Sequence, residues 1–138
     1  MYNRIFIDTN PIVYLIGNQL PYSLKVRDFL SHEMFEGAEF YTSTITDTEF
    51  LAKPYKMNDY EAVEAYREFL ERLNVLKCYV NEPIAVTAAK IRAQYDGIKT
   101  ADSIQLAASI ESRCDCFFTN DAQLRQVIQA NVVYLGDL

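Results

Sequence analysis

The sequence is poor in several residue types that would carry familiar chemistries. There is one histidine, His32, in 138 residues. Metal-free phosphodiester cleavage that uses one imidazole as base and another as acid is therefore excluded, and His32 lies on a polar stretch that reads as surface. Three cysteines, Cys78, Cys114 and Cys116, are an odd number with no disulfide framework. Cys114-Asp115-Cys116 also lacks the second ligand pair that a zinc site needs. Neither G-x-x-x-x-G-K-[ST] nor G-x-G-x-x-G occurs, so nothing suggests a nucleotide phosphate cradle. The longest apolar runs, Ile5–Ile7 and Ile12–Ile16, fall far short of the roughly 18 residues that span a bilayer. No basic stretch precedes an apolar one in the manner of a secretory leader, so the expectation is a cytoplasmic protein with no membrane association. Cations are scarce too. Thirteen Lys and Arg against 19 Asp and Glu leave a net charge of −6, which repels phosphate backbones unless positive charge is supplied locally. Lys53 with Lys56, bound metal ions or a second subunit could supply it.

What is present is apolar and aromatic. Half of the residues are hydrophobic, with 10 Tyr and 8 Phe, which suits one compact domain over residues 1–138. Arg4–Asp8 reads as a buried strand ending in an acid. Asn10 before Pro11 has the form of a helix cap with proline in the first turn, opening a helix to about Ile16. A second helix is expected over Ser23–Glu36, with Leu24, Val26, Phe29, Leu30 and Phe35 inward and Gly37 stopping it. Glu39–Thr42 reads as a strand, Thr46–Leu51 as a helix start, and Lys53–Asn58, with Pro54, as a loop. Asp59–Leu73 is amphipathic at helical spacing, and Val75–Val80 reads as a strand. Asn81 caps a helix to about Tyr95, and Lys99–Ser112 is a helix apolar on most sides. Cys116–Thr119 reads as a strand, Ala122–Ile128 as a short helix and Val132–Leu135 as an edge strand. This alternation predicts an α/β fold, a three-layer α/β/α sandwich with a central parallel sheet of four to five short strands.

In such sheets ligands bind beyond the carboxyl ends of the strands, and Asp8 and Asp121 fall just past two of them. Both also suit helix capping. For Asp8 that alternative is weakened because Asn10 holds the better cap position. For Asp121 it stays open, with Thr119 and Asn120 competing for the same role. Glu49 closes Thr46-Asp47-Thr48-Glu49, which fits a reciprocal capping box, and on pattern alone capping is the stronger reading. Asp102 suits the first turn of its helix electrostatically, with Thr100 as a possible cap. It nevertheless shares a face with Leu106, where an unpaired carboxylate is costly. Together, converging carboxylates repel one another and raise each other's pKa values unless a divalent cation neutralises them. Hard oxygen donors of this kind suit Mg²⁺ or Mn²⁺. A haloacid-dehalogenase arrangement is disfavoured, since position 10 is Asn rather than a second Asp.

Four blocks then stand in order: Ile5-Phe6-Ile7-Asp8-Thr9-Asn10, Ser43-Thr44-Ile45-Thr46-Asp47-Thr48-Glu49-Phe50, Lys99-Thr100-Ala101-Asp102-Ser103-Ile104-Gln105-Leu106-Ala107 and Phe117-Phe118-Thr119-Asn120-Asp121. Each is short, but in this order and spacing they are fairly specific. Over essentially its full length the sequence resembles PIN-domain proteins, particularly VapC-type toxins of toxin–antitoxin pairs. The resemblance implies an Mg²⁺- or Mn²⁺-dependent endoribonuclease acting on RNA, with Asp8, Glu49, Asp102 and Asp121 as the acidic quartet. Asp8 and Asp102 would be the main ligands. Glu49 would bind metal or orient water, and Asp121 would bind directly or through water. Thr119 would support the last acid, with Asn10 close by. It also implies a homodimer and a cognate antitoxin that inserts a segment into the cleft. Competing expectations are an inert PIN-like binding or scaffold module and a structure-specific DNA nuclease, the latter disfavoured because no helical arch or DNA-clamping segment is apparent.

Overall fold

The computed structural model describes residues 1–138 and contains a parallel five-stranded sheet flanked by helices on both faces. In chain order the elements are β1 (Arg4–Ile7), α1 (Thr9–Ile16), α2 (Tyr22–Phe35), β2 (Glu39–Ser43), α3 (Thr44–Lys56), α4 (Tyr60–Arg72) and β3 (Leu76–Cys78). There follow α5 (Glu82–Gln94), α6 (Thr100–Glu111), β4 (Cys116–Thr119) and β5 (Val132–Tyr134), with short 3₁₀ turns at Ala122–Gln126, Ile128–Ala130 and Leu135–Asp137. The expected α/β/α sandwich with a parallel sheet is what forms.

The strand order is β3-β2-β1-β4-β5, and every neighbouring pair is parallel. The chain winds outward from β1 to β3, returns across the sheet through α5 and α6, and then winds outward again from β4. Reversing the winding direction at constant handedness moves the connecting helices to the opposite face. Accordingly, one core contains Ile12 of α1, Val26 and Leu30 of α2, Phe50 of α3 and Tyr66 of α4. The other contains Ile84 and Ile91 of α5 with Leu106 and Ala107 of α6. Strand alternation feeds both layers: Ile5 and Ile7 point into the first core and Phe6 into the second. There Phe6 stacks on Phe117 of the neighbouring strand, with ring centroids 5.4 Å apart. The seam between β1 and β4 is the point where winding reverses, and the crevice beyond its carboxyl end is where such folds place their ligands.

Several local expectations are corrected. α1 starts at Thr9, not Pro11, and its N-cap is Asp8 rather than Asn10. α3 is capped by Ser43, whose hydroxyl accepts the Ile45 N–H, so the capping box at Thr46–Glu49 does not form. The same helix runs through Pro54 to Lys56 where a loop was expected. A proline forfeits one N–H bond and crowds the preceding turn. Here its ring is buried, and only Tyr55 and Lys56 of the helix lie beyond it. In α2, Leu24 and Phe35 face outward, Phe35 at 87% exposure, while Ser23 and Glu33 take inward positions. Glu33 is tolerated inside because its carboxylate accepts the Tyr2 N–H at 3.1 Å and lies 3.7 Å from the N-terminal ammonium. Gly37, at φ +92°, ends that helix in the left-handed region as anticipated. β3 is shorter than expected, β5 ends at Tyr134, and the short helix expected over Ala122–Ile128 forms as 3₁₀ turns at Ala122–Gln126 and Ile128–Ala130.

Candidate active site

Asp8 leaves the carboxyl end of β1 and is nearly enclosed, at 4% exposure. Its backbone N–H continues the ladder onto Phe118 O at 3.0 Å, which pins it to the β1–β4 seam. Its Oδ1 accepts the Thr9 N–H and its Oδ2 the Thr119 hydroxyl, both at 2.8 Å. Burial pushes its pKa up to about 7. The Asp102 and Glu49 charges add to that rise, and the bonds from Thr119 and Thr9 oppose it.

Asp102 projects from the first turn of α6, on the other side of the seam. It is partly buried, and its pKa is raised first by that burial and then by the Asp121 and Glu49 carboxylates, while Lys99 opposes the rise. Thr100 does not cap this helix. The N-cap is Lys99, with no side-chain bond to the backbone. Glu49 stands on α3, exposed to solvent, and its Oε1 accepts the Thr9 hydroxyl at 2.6 Å. Released from capping, it faces the same cleft. Asp121 follows β4 and caps the first 3₁₀ turn through the Gln123 N–H at 3.0 Å. Its own N–H donates to Thr119 Oγ1 at 3.1 Å, so Thr119 bridges the backbone of one acid and the carboxylate of another. Asn10 accepts the Asn120 N–H at 2.9 Å and thereby ties the start of α1 to the end of β4.

The four acids therefore come from four separate elements and perturb one another at the carboxyl edge of the sheet. As they stand, no three His, Cys, Asp or Glu side chains converge closely enough to hold an ion between them. In kind, the oxygen donors fit a hard divalent cation. Their mutual repulsion, opposed at Asp102 by Lys99 and at Asp8 by the Thr119 and Thr9 hydrogen bonds, is the electrostatic condition that such an ion relieves. Lys53 and Lys56 are exposed in the last turn of α3. Lys53 and Glu49 share a groove that runs between α1, α3 and α4.

Behind the acids lies a cluster of buried polar side chains that sequence reasoning did not single out: Thr42, Ser43, Thr46 and Gln105, all fully buried, with Thr9 at its edge. The available signal was Gln105 itself, a long polar side chain within the apolar stretch Ile104–Ala108. His32 is exposed, as expected. The three cysteines are free, and burial pushes the Cys114 thiol up to about 12 and Cys116 higher still, so neither supplies a thiolate near neutral pH.

Comparison with known proteins bears on this arrangement. The family model of the PIN domain matches residues 5–129. Among curated proteins no significant match is found. The solved structures that share the fold include these three. One is VapBC2 from Rickettsia felis bound to a DNA fragment from their promoter, with TM-score 0.73 and 14% identity over 95% of this chain and 98% of that one. A toxin–antitoxin complex from Klebsiella pneumoniae gives TM-score 0.75 and 20% identity over 95% and 97%. VapBC-1 from nontypeable Haemophilus influenzae gives 0.73 and 19% over 96% and 98%.

Proposed function

The chain belongs to the PIN domain family, and from that premise we propose that it is a divalent-metal-dependent endoribonuclease, the toxin of a toxin–antitoxin pair. The observation that carries this reading is the gathering of Asp8, Glu49, Asp102 and Asp121 at the β1–β4 crevice, where Asp8 and Asp102 are both pushed towards protonation by burial and by their acidic neighbours. Asp8 and Asp102 would hold Mg²⁺ or Mn²⁺, with Glu49 and Asp121 completing the site directly or through water. The ion supplies Lewis-acid stabilisation of a scissile phosphate and acidifies an attacking water. The chain's own residues prepare the site. Thr119 aims Asp8, Thr9 aims Glu49, and Asn10 keeps the Asp121 loop against α1.

The structural likeness to toxin–antitoxin complexes supports a cognate antitoxin as partner. We further take residues 1–138 to act as a single domain and as a homodimer in the cytoplasm. No helix is long and apolar enough to cross a membrane. A net charge of −6 makes bound cations and local lysines the source of phosphate affinity.

The test is cleavage of RNA by the purified chain in Mn²⁺ or Mg²⁺, with Asp8→Asn and Asp102→Asn compared at equal folded fraction. Both variants should lose activity by at least about a hundredfold, the upper end of what even supporting residues of metal sites cost. Retained cleavage in both would sink the proposal.

A second reading has one specific observation in its favour. Asp8 and Asp121 both serve as helix caps, so a PIN-like scaffold could retain them for stability alone. Titration calorimetry separates the two, because a scaffold shows no Mn²⁺ binding that depends on Asp8 and Asp102.

A further inference from the structure

Gln105 sits one turn after Asp102 on α6 and is completely enclosed. Its Oε1 accepts the Ser43 hydroxyl, while its Nε2 lies 2.7 Å from Thr46 Oγ1 and 3.5 Å from Thr9 Oγ1. The direction of every proton in this cluster follows from counting donors. Thr42 Oγ1 lies 3.0 Å from the Ile7 carbonyl, which can only accept, so the one Thr42 proton goes there. The 2.8 Å contact between the Thr42 and Thr46 hydroxyls then requires Thr46 to be the donor. Thr46 is left with lone pairs towards Gln105, which must present its NH₂ group. Reversing the amide would set its oxygen against Thr46 and Thr9 and leave the Thr42–Thr46 contact without a proton whenever Thr46 donated to it. The second amide hydrogen faces Thr9, which receives it on a lone pair. The single Thr9 proton goes outward to Glu49 Oε1 at 2.6 Å, which can only accept, rather than to Thr46 Oγ1 at 3.4 Å, and the Gln105 amide approaches the Thr9 oxygen from the other side.

We propose that Gln105 is a positioning residue: its buried amide, anchored on Thr46, holds the Thr9 hydroxyl in place behind the Glu49 carboxylate and so keeps that carboxylate in the cleft. The amide joins three of the elements that carry acids. It is built on the Asp102 helix, bonds to α3 at Thr46, and reaches the first residue after Asp8. A bulky apolar residue of the same size would fill the space without setting any proton's direction. Taken as a statement about catalysis, this rests on the nuclease reading; taken as a linkage between Gln105 and Glu49, it does not.

The test uses the full chain. Gln105→Met preserves volume and removes the amide, Thr9→Val removes the hydroxyl, and Thr9→Ser restores it. Mn²⁺ affinity by calorimetry and RNA cleavage should each fall about tenfold in Gln105→Met and Thr9→Val, with Thr9→Ser recovering most of the loss. In a Glu49→Ala background, adding Gln105→Met should cost nothing further. An equal loss in both backgrounds would overturn the proposal, since a purely structural residue acts whether or not Glu49 is present. A third measurement requires neither metal nor RNA: the Gln105 side-chain ¹⁵N–¹H signals should shift in Glu49→Ala and in Thr9→Val. Unmoved signals would also overturn it. This arm decides the matter if Gln105→Met does not fold. A wild-type chain that neither binds Mn²⁺ nor cuts RNA overturns the nuclease reading alone, and the amide signals still decide the linkage.

Discussion

Thr119 and Asp8, 111 positions apart in the chain, are joined by a hydroxyl–carboxylate bond of 2.8 Å inside the protein. The same Thr119 oxygen receives the Asp121 N–H, so one side chain sets the positions of two acids. Thr119→Val should therefore disturb both. The expected result is a loss of about 1–3 kcal/mol of stability from the unmet buried partners and a drop in Mn²⁺ affinity of about 10–100-fold. Thr119→Ser should retain most of each. Chemical denaturation and calorimetry on the two variants check this, and equal behaviour of Val and Ser would remove Thr119 from the site.

The raised pKa of Asp8 has a definite sign for stability. A carboxyl that titrates at about 7 when folded, against 3.8 ordinarily, binds its proton more tightly in the native state. Its stabilising contribution is complete below about pH 4 and is lost as the pH rises through 7. In chelator-treated protein, Asp8→Asn, which mimics the neutral acid and can still cap α1, should melt several degrees above wild type at pH 8. The difference should vanish near pH 4. Melting curves across this range that run parallel would contradict the assignment.

Divalent cations should reverse that penalty. A hundredfold excess of Mn²⁺ over its dissociation constant stabilises a single-site protein by about 2.7 kcal/mol. Wild type should show a rise in melting temperature of about 10 °C at pH 8, and Asp8→Asn or Asp102→Asn should show little. Thermal shift with Mn²⁺, Mg²⁺ and a monovalent control tests this, a matching rise with the monovalent salt being the adverse result.

Away from the cleft, Tyr66 is buried at 1% exposure and donates its hydroxyl to Asp47 Oδ1 at 2.8 Å, where Lys77 also approaches to 3.0 Å. Burial and the Asp47 carboxylate both raise the Tyr66 pKa, so the phenol remains a donor at all ordinary pH values. Tyr66→Phe should cost about 1.5–3 kcal/mol, the range for a hydrogen bond to a charged group, and leave Mn²⁺ affinity unchanged. Urea unfolding and calorimetry on the same sample measure both.

Elements with a strong period or a buried run were legible in the sequence. Ile5–Ile7 and Cys116–Thr119 read as strands because both faces are covered, and Asp59–Leu73 read as a helix from its apolar spacing. Choices settled by tertiary partners were not legible. Asp8 displaced Asn10 as the cap because Asn10 is drawn across to the Asn120 N–H. Ser43 displaced the Thr46 capping box because Thr46 is fully buried and bonded to Thr42 and Gln105. Leu24 and Phe35 fit an inward stripe by number, but Glu33 took an inside position through the chain terminus, whose amine and Tyr2 N–H no local pattern could reveal. Of the candidate site, the four acids were readable as residue types at strand ends and helix starts. Thr119 and Asn10 were named as supports only through the family resemblance, and the bonds of Thr119 to Asp8 and of Thr9 to Glu49 and Gln105 were not legible, because those contacts span up to 111 positions.

The reversal of winding at the β1–β4 seam also has a meaning in time. Asp8 and Glu49 emerge in synthesis before Asp102, Thr119 and Asp121. Until Cys116–Thr119 docks against β1, that strand has one open edge and Asp8 faces none of its later partners. A nascent chain is thus built with its cleft incomplete, and whatever the acids do together begins only once β4 and Asp121 have emerged.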